Sequence, residues 1–347
     1  MHPAALPRHL ADALSQTARE LAGDAIASRI AVLRRLAGDG LASLPPPAAG
    51  ATLARWQALA AVAAHDLALV KLFEGHADAL AILTEAGADA PPREQLWAMW
   101  AAESPGARVV FEPGAGDACT LSGTKAWCSG ARHVDAALLT VWHADGSGPF
   151  LASVRLAEAG VSFIDANWQA VGMAASDSVD VHFDATPARL VGPRGFYLDR
   201  PGFWQGGIGI AACWHGGALG LARALRAQAD AAGAQAGWHR LAALGGVDAI
   251  LSAQAALLRE AARWVDAHPR ADARAWAWRT RASADATAQE VLRLVTRALG
   301  ATPLCRDAAF ARRAADLPVF VRQCHGDRDL AALGERVAGE EAAPWDL

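Results

Sequence analysis

The segment best equipped for chemistry is Leu121-Ser122-Gly123-Thr124-Lys125-Ala126-Trp127-Cys128-Ser129-Gly130-Ala131. It reads as a β turn leading into a strand, and residues two apart on a strand share a face. Trp127 and Ser129 then offer an aromatic plane and a hydroxyl together, which suits a flat, polar-edged ligand. The competing reading is a core tryptophan beside a turn serine. Lys125 is read as stabilising its turn. Other chemistries lack an anchor: no GxSxG elbow, Walker lysine loop or HExxH occurs, which removes the usual starting points for serine hydrolysis, P-loop phosphate binding and zinc proteolysis. Gly207-Ile208-Gly209-Ile210-Ala211-Ala212 spells GxGxxA but follows Arg200-Pro201-Gly202-Phe203-Trp204-Gln205 rather than a strand. A dinucleotide site requires a strand-to-helix turn there, so these small residues are read as letting two helices approach. Cys119, Cys128, Cys213, Cys305 and Cys324 form no CxxC pair; they read as reduced thiols, with no metal site expected.

Three blocks of pattern must position that segment. From Pro7 to about Ala90 apolar residues recur at helical spacing, as in Leu69, Phe73, Ala77 and Leu80. The run Leu44-Pro45-Pro46-Pro47-Ala48-Ala49-Gly50 interrupts them as a loop, because each proline ring removes a donor and disfavours helix before it. Between about Val109 and Val191 short apolar runs such as Ala136 to Trp142 and Phe150 to Val154 alternate with turns and read as strands. In Ser178-Val179-Asp180-Val181-His182-Phe183-Asp184 apolar and polar residues alternate, as in a half-buried antiparallel strand. After Gly192-Pro193-Arg194-Gly195 the helical period returns. Leu251, Ala255, Leu258, Ala262 and Val265 trace one stripe, and Ala284, Ala288, Val291, Val295 and Ala298 another, which Gly300 ends. Strands and helices do not alternate in the βαβ manner, so a parallel nucleotide-binding sheet is not expected.

The chain has 347 residues, 53% hydrophobic and 20% charged, which is the composition of a folded globular protein of two or three domains. Its formal net charge of -4 provides no whole-chain basic field for nucleic acid or anionic lipid. The N-terminus lacks a basic start followed by an apolar stretch, so no signal peptide is read and a cytoplasmic location is expected. The longest weakly polar run, Gly206 to Ala222, is shorter than the roughly 20 apolar residues a membrane span needs. It is read as a buried helix, and no membrane span is expected.

The Leu121–Ala131 segment resembles the L-x-G-x-K-x-W-I-T-N strand of the acyl-CoA dehydrogenase family. Val171-Gly172-Met173-Ala174-Ala175-Ser176-Asp177-Ser178, followed by Val181-His182-Phe183-Asp184, resembles the family's L-G-x-R-x-S-D-x … V-x-F-D-x-V close of its β domain. Gly40-Leu41 and the helix carrying His65-Asp66 and His76 look like its N-terminal helical domain. The resemblance implies an α+β, mostly α fold: an N-terminal helical domain over 1–95, a middle antiparallel β domain over 96–198 and a C-terminal four-helix bundle over 199–347. FAD would lie between the β domain and the bundle. In the family the Trp and Thr of the matching strand contact the isoalloxazine, so Trp127 and Ser129 are implied as cofactor contacts, serine keeping the hydroxyl. Met99-Trp100-Ala101-Ala102-Glu103-Ser104-Pro105-Gly106 stands where the family has Y-C-V-T-E-P-G-A-G-S-D, which wraps the flavin pyrimidine. Ala102 replaces the threonine, which leaves backbone contacts from Met99, Ala101 and Ala102. Glu112-Pro113-Gly114-Ala115-Gly116-Asp117 spells that motif more literally, but it lies close upstream of Trp127 and is read as a hairpin loop.

The implied activity is FAD-dependent oxidation of an acyl thioester at Cα–Cβ, in which a glutamate takes the α-proton and flavin N5 takes the β-hydride. The family's Glu-Gly-Thr is missing near the C-terminus, and its alternative glutamate position falls on Ile210. His325, Asp327 and Asp316 are the candidate replacement bases, set against the reading of their charged run as a solvated face. Histidine titrates near neutrality, whereas an aspartate needs burial to raise its pKa. Arg322 and Arg328 are read as meeting a phosphate or a partner subunit. A flavin-dependent monooxygenase on the same fold needs no such glutamate and is the alternative activity; a degenerate homologue that binds flavin or a partner without turnover is a third. The implied partners are an acyl-CoA or related small molecule, an electron-transfer flavoprotein, and further copies of the chain in a homodimer or homotetramer.

Overall fold

The computed structural model describes residues 5–17, 20–23, 25–165, 168–340 and 345. Helices α1 (Leu6–Ser15), α2 (Ile26–Gly38), α3 (Thr52–His65) and α4 (Leu67–Glu85) come first. Among the described residues seven strands follow: β1 (Trp97–Trp100), β2 (Val109–Pro113), β3 (Ala118–Ser129), β4 (Ala136–His143), β5 (Phe150–Arg155), β6 (Val161–Ile164) and β7 (Ser178–Leu190). The chain then runs through α5 (Phe196–Asp199), α6 (Pro201–Ala232), α7 (Trp238–Ala267), α8 (Arg274–Leu299), α9 (Ala301–Arg306), α10 (Ala308–Phe320) and α11 (Asp327–Ala338). It divides into two compact units, Met1–Pro46 with Ala68–Phe203 and Pro47–Leu67 with Trp204–Leu347.

In the first unit the strands form one sheet in the order β1-β4-β2-β3-β7-β5, with β6 added on β7. A further β4–β5 pairing joins β4, β2, β3, β7 and β5 into a ring, which leaves no open edge between them. The expectation of an antiparallel β domain is corrected here: the sheet is mixed, because β4 runs parallel to both β1 and β2. Every residue from Ala136 to Val141 is buried. A strand covered on both faces shows a continuous apolar run, which carries no sign of its direction. The Glu112–Asp117 motif turns between antiparallel β2 and β3, as expected of a hairpin loop. Gly123, at φ +112°, sits where β3 shifts register against β7; a Cβ there would lie 2.2 Å from the Arg108 carbonyl oxygen. Leu69, Phe73 and Ala77 of α4 are buried, as their helical spacing requires.

In the second unit Leu258, Ala262 and Val265 of α7 and Ala284, Ala288, Val291 and Val295 of α8 are buried, and Gly300 follows α8 at φ +67°. Asp266 of α7 caps α3, accepting the Thr52 N–H at 3.1 Å and the Thr52 hydroxyl at 2.6 Å. The weakly polar run around Gly206 to Ala222 grows into the 32-residue α6. A Cβ on Gly216 of that helix would lie 2.3 Å from the Ala60 carbonyl oxygen of α3, so glycine permits this close helix approach. Both α6 and α7 are long and apolar enough to cross a membrane; 72% of the most apolar stretch of α6 is buried within the protein, against 17% for α7.

Candidate functional site

The alternation of β3 breaks where the chemistry was expected. Between Lys125 and Cys128 the register against β7 shifts, a β-bulge that places Trp127 at φ +59°. A non-glycine residue in the left-handed region costs about 1–2 kcal/mol. The bulge amide is held by Asp180, whose Oδ1 accepts the Trp127 N–H at 3.1 Å. Asp180 is therefore buried, although its place in the alternation of β7 assigns it to the polar face with His182 and Asp184. The bulge separates the environments of the two expected ligand contacts. Trp127 is 48% exposed while Ser129 is 8% exposed, its hydroxyl 2.7 Å from that of Ser178.

The Met99–Ala102 segment lies at the end of β1 and just beyond it, all three expected contacts being partly buried. It is pinned on both sides. At its start the neutral imidazole of His76 on α4 accepts the Trp97 N–H at Nδ1 (3.1 Å). Burial pushes this imidazole down from 6.5 to about 4. The Trp100 indole donates to the Ser129 carbonyl at 3.3 Å. After the segment comes Glu103, and here the expectation for Lys125 is corrected: it stabilises no turn but is a buried lysine with a side chain 2% exposed. Its ammonium donates to Glu103 Oε1 (2.9 Å), to Thr140 Oγ1 (2.6 Å) and to the Thr140 carbonyl (3.3 Å). Three donors meet three acceptors, the condition for burying an ammonium group. Burial lowers the Lys125 pKa, and Glu103 opposes that shift.

Beside the strand opens a cleft of about 360 Å³, of a size for a small ligand, lined in part by Arg132, Trp168, Asp177, Ser178 and Val179. Arg132 and His133 both face the Asp177 carboxylate, at 2.9 and 3.3 Å. Met173 and Asp177 flank a one-turn helix, both in the left-handed region at φ 61° and 43°. Ser176 and Ser178, which carry hydrogen bonds here, were visible in the sequence only as part of the S-D-x motif. Nothing in their spacing showed that they meet Ser129.

The three candidate bases lie in the second unit in two different settings. Asp316 is buried within α10 at 4% exposure. Asp327 opens α11 and is exposed. The His325 side chain is 68% exposed, its Nδ1 3.6 Å from Asp329 Oδ1. Ile210 is partly buried on α6. Arg322 pairs with Asp285 at 2.6 Å. Among the described residues no cluster of three or more His, Cys, Asp or Glu side chains is arranged to hold a metal ion.

No family model matches the chain, and no curated protein matches it. Solved structures do. TdsC from Paenibacillus sp. A11-2, a dibenzothiophene monooxygenase solved with FMN and indole, matches with a TM-score of 0.81 at 20% identity, over 99% of this chain and 98% of that one. A nitrososynthase from Micromonospora carbonacea var. africana matches at 0.78 and 18% identity, over 96% and 97%. Glutaryl-CoA dehydrogenase from Mycobacterium smegmatis matches at 0.77 and 18% identity, over 97% and 95%. The resemblance read from the Leu121–Ala131 and Val171–Asp184 motifs thus extends across the whole chain, which has the acyl-CoA dehydrogenase-like fold of these flavoproteins.

Proposed function

We propose that the chain is a flavin-dependent oxidoreductase and, of the two activities this fold suggests, a monooxygenase rather than an acyl-CoA dehydrogenase. The residues present fit a flavin ring: a half-exposed indole on a strained bulge, a hydroxyl two residues on, and a backbone segment at Met99, Ala101 and Ala102 held at both ends. FMN and FAD share the ring these residues would meet, and TdsC binds FMN. A bound flavin would supply hydride acceptance or, once reduced, the activation of dioxygen. This chain's residues would orient the ring: Trp127 against its face, Ser129 and the Met99–Ala102 backbone at its polar edge.

The observation that favours monooxygenation is the missing carboxylate. Both family glutamate positions lack one, His325 and Asp327 are largely exposed, and oxygen transfer has no α-proton to remove. The likeness to glutaryl-CoA dehydrogenase and the buried carboxylate of Asp316 support the second reading, oxidation of an acyl-CoA with an electron-transfer flavoprotein as acceptor. We also propose a soluble protein that self-associates as a homodimer or homotetramer. Only 17% of the most apolar stretch of α7 is buried within one chain, and packing it against a second copy removes further apolar surface from water.

Oxygen uptake decides between the two activities. Supplied with reduced FMN and a panel of aromatic and sugar-nucleotide substrates, the protein is expected to consume oxygen in a substrate-dependent manner. Bleaching of bound flavin by an acyl-CoA under anaerobic conditions, abolished by Asp316→Asn, His325→Ala or Asp327→Asn while flavin stays bound, would establish the dehydrogenase instead.

A further inference from the structure

Three buried serines stand in line behind the proposed ring-contacting strand. Ser176 Oγ lies 2.7 Å from the Met173 carbonyl oxygen and 2.9 Å from Ser178 Oγ, which in turn lies 2.7 Å from Ser129 Oγ. Each hydroxyl has one proton to give. The Met173 carbonyl can only accept, so Ser176 donates to it. Ser178 must then donate to Ser176, and Ser129 must donate to Ser178. The order of protons is therefore set from the inner end of the row, and it leaves Ser129 with lone pairs but no proton for a ligand. The row is shielded from water, with exposures of 1% at Ser176, 5% at Ser178 and 8% at Ser129. Its inner end is held in place by the Gly130 N–H, which donates to the Ser176 carbonyl at 2.9 Å, and by the left-handed residues Met173 and Asp177 on either side of the turn.

We propose that Ser176 and Ser178 act as positioning residues that make Ser129 an obligate acceptor, so that the site prefers reduced flavin over oxidised flavin. The inference rests on the flavin reading above. The discrimination lies at N5, the position Ser129 would meet: it is a bare acceptor in oxidised isoalloxazine and carries N–H and donates in the reduced ring, whereas N3–H donates in both. An acceptor-only hydroxyl satisfies the second and leaves lone pair against lone pair with the first, a mismatch of the kind that leaves a polar group unpaired. Such a preference suits an enzyme that takes up reduced flavin before it meets oxygen. The indole face of Trp127 has no part in this discrimination.

Quenching of tryptophan fluorescence under anaerobic conditions, with FMN and with photoreduced FMN, measures both affinities in one protein. The wild-type chain is expected to bind reduced FMN about tenfold more tightly than oxidised FMN, the effect of one mismatched hydrogen bond. Ser178→Ala removes the acceptor of the Ser129 proton, and Ser176→Ala lets Ser178 turn its proton toward Ser129. Each is expected to bring the ratio close to one, and Ser176→Ala serves where Ser178→Ala fails to fold. Trp127→Ala is expected to weaken both forms with the ratio kept. A wild-type ratio of one or favouring oxidised FMN, or a ratio that survives either serine variant, would overturn the inference while leaving the flavin reading intact. Wild-type protein that binds neither form would overturn that reading and the inference with it.

Discussion

Between about pH 7.5 and about pH 5 the protein is expected to lose about 4 kcal/mol of folding stability through two histidines alone. Burial pushes His76 on α4 and His215 on α6 each from 6.5 down to about 4. For His76 the imidazole must also stay unprotonated at Nδ1 to accept the Trp97 N–H. For His215 the Nδ1 atom is buried without a partner, and the Arg259 charge adds to the penalty on protonation. The folded state therefore takes up these protons less readily than the unfolded chain. Stability is complete above about pH 6.5, falls as the pH drops below it, and stops falling through these groups near pH 4. At about 2 kcal/mol by pH 5, with one histidine in each unit, each is an appreciable part of the roughly 5–15 kcal/mol that holds a domain. Urea unfolding across this range is the check. His76→Asn, which keeps an acceptor for Trp97 but does not titrate, is expected to remove about half of the pH dependence. A stability that is flat from pH 7.5 to pH 5 would contradict the burial of both imidazoles.

Glu103→Gln is the second large effect, expected to destabilise the fold by about 3 kcal/mol at neutral pH, near the low end for breaking a buried pair. The figure is held to the low end because the Glu103 side chain is 41% exposed and its partner charge is partly screened by water. The exposed partner is nonetheless the one whose loss matters, because it leaves the fully buried Lys125 ammonium without its counter-charge. Lys125→Met, which removes the charge and keeps the volume, is expected to cost less than Glu103→Gln, and the double variant less than the sum. The Lys125 pKa is already lowered by burial, and loss of Glu103 lowers it further. A lysine easier to deprotonate when folded gains stability as pH rises, so the deficit of Glu103→Gln is expected to shrink on moving to alkaline pH. Chemical denaturation of the four proteins tests this. A Glu103→Gln variant as stable as wild type would mean that the pair does not pin the Met99–Ala102 segment.

Helices were legible because their stripes are local. Leu258, Ala262 and Val265 announce their face at a spacing that no other structure explains, and Gly300 marks the end of α8. The β3 segment was legible by its motif, and the whole-chain likeness in fold followed from it. What did not show was the bulge. It changes the backbone at Trp127 without changing the residue pattern, so Trp127 and Ser129 were read on one face although their surroundings differ. The burial of Asp180 follows from that bulge, since its carboxylate answers the displaced amide rather than obeying alternation. Lys125 was misplaced for a related reason: lysine is ordinarily exposed, and the acceptors that reverse this are Glu103 and Thr140, contributed by other parts of the chain. The serine row is likewise a meeting of β3 with the turn before β7. The direction of β4 was hidden by its uniform burial. For the candidate bases, sequence could supply residue types but not setting, and the structure buries Asp316 while leaving His325 and Asp327 at the surface.

A flavin ring is proposed to lie against the strand carrying Trp127 and Ser129. Titration of the purified protein with FMN, followed by flavin absorbance and fluorescence in the wild type and in Trp127→Ala, tests it most directly. Saturable binding to the wild type is expected, weakened about tenfold by loss of the indole face while the fold is retained. Binding of equal strength in Trp127→Ala would place the flavin elsewhere, and no binding by the wild type would mean that this chain keeps the fold without the cofactor.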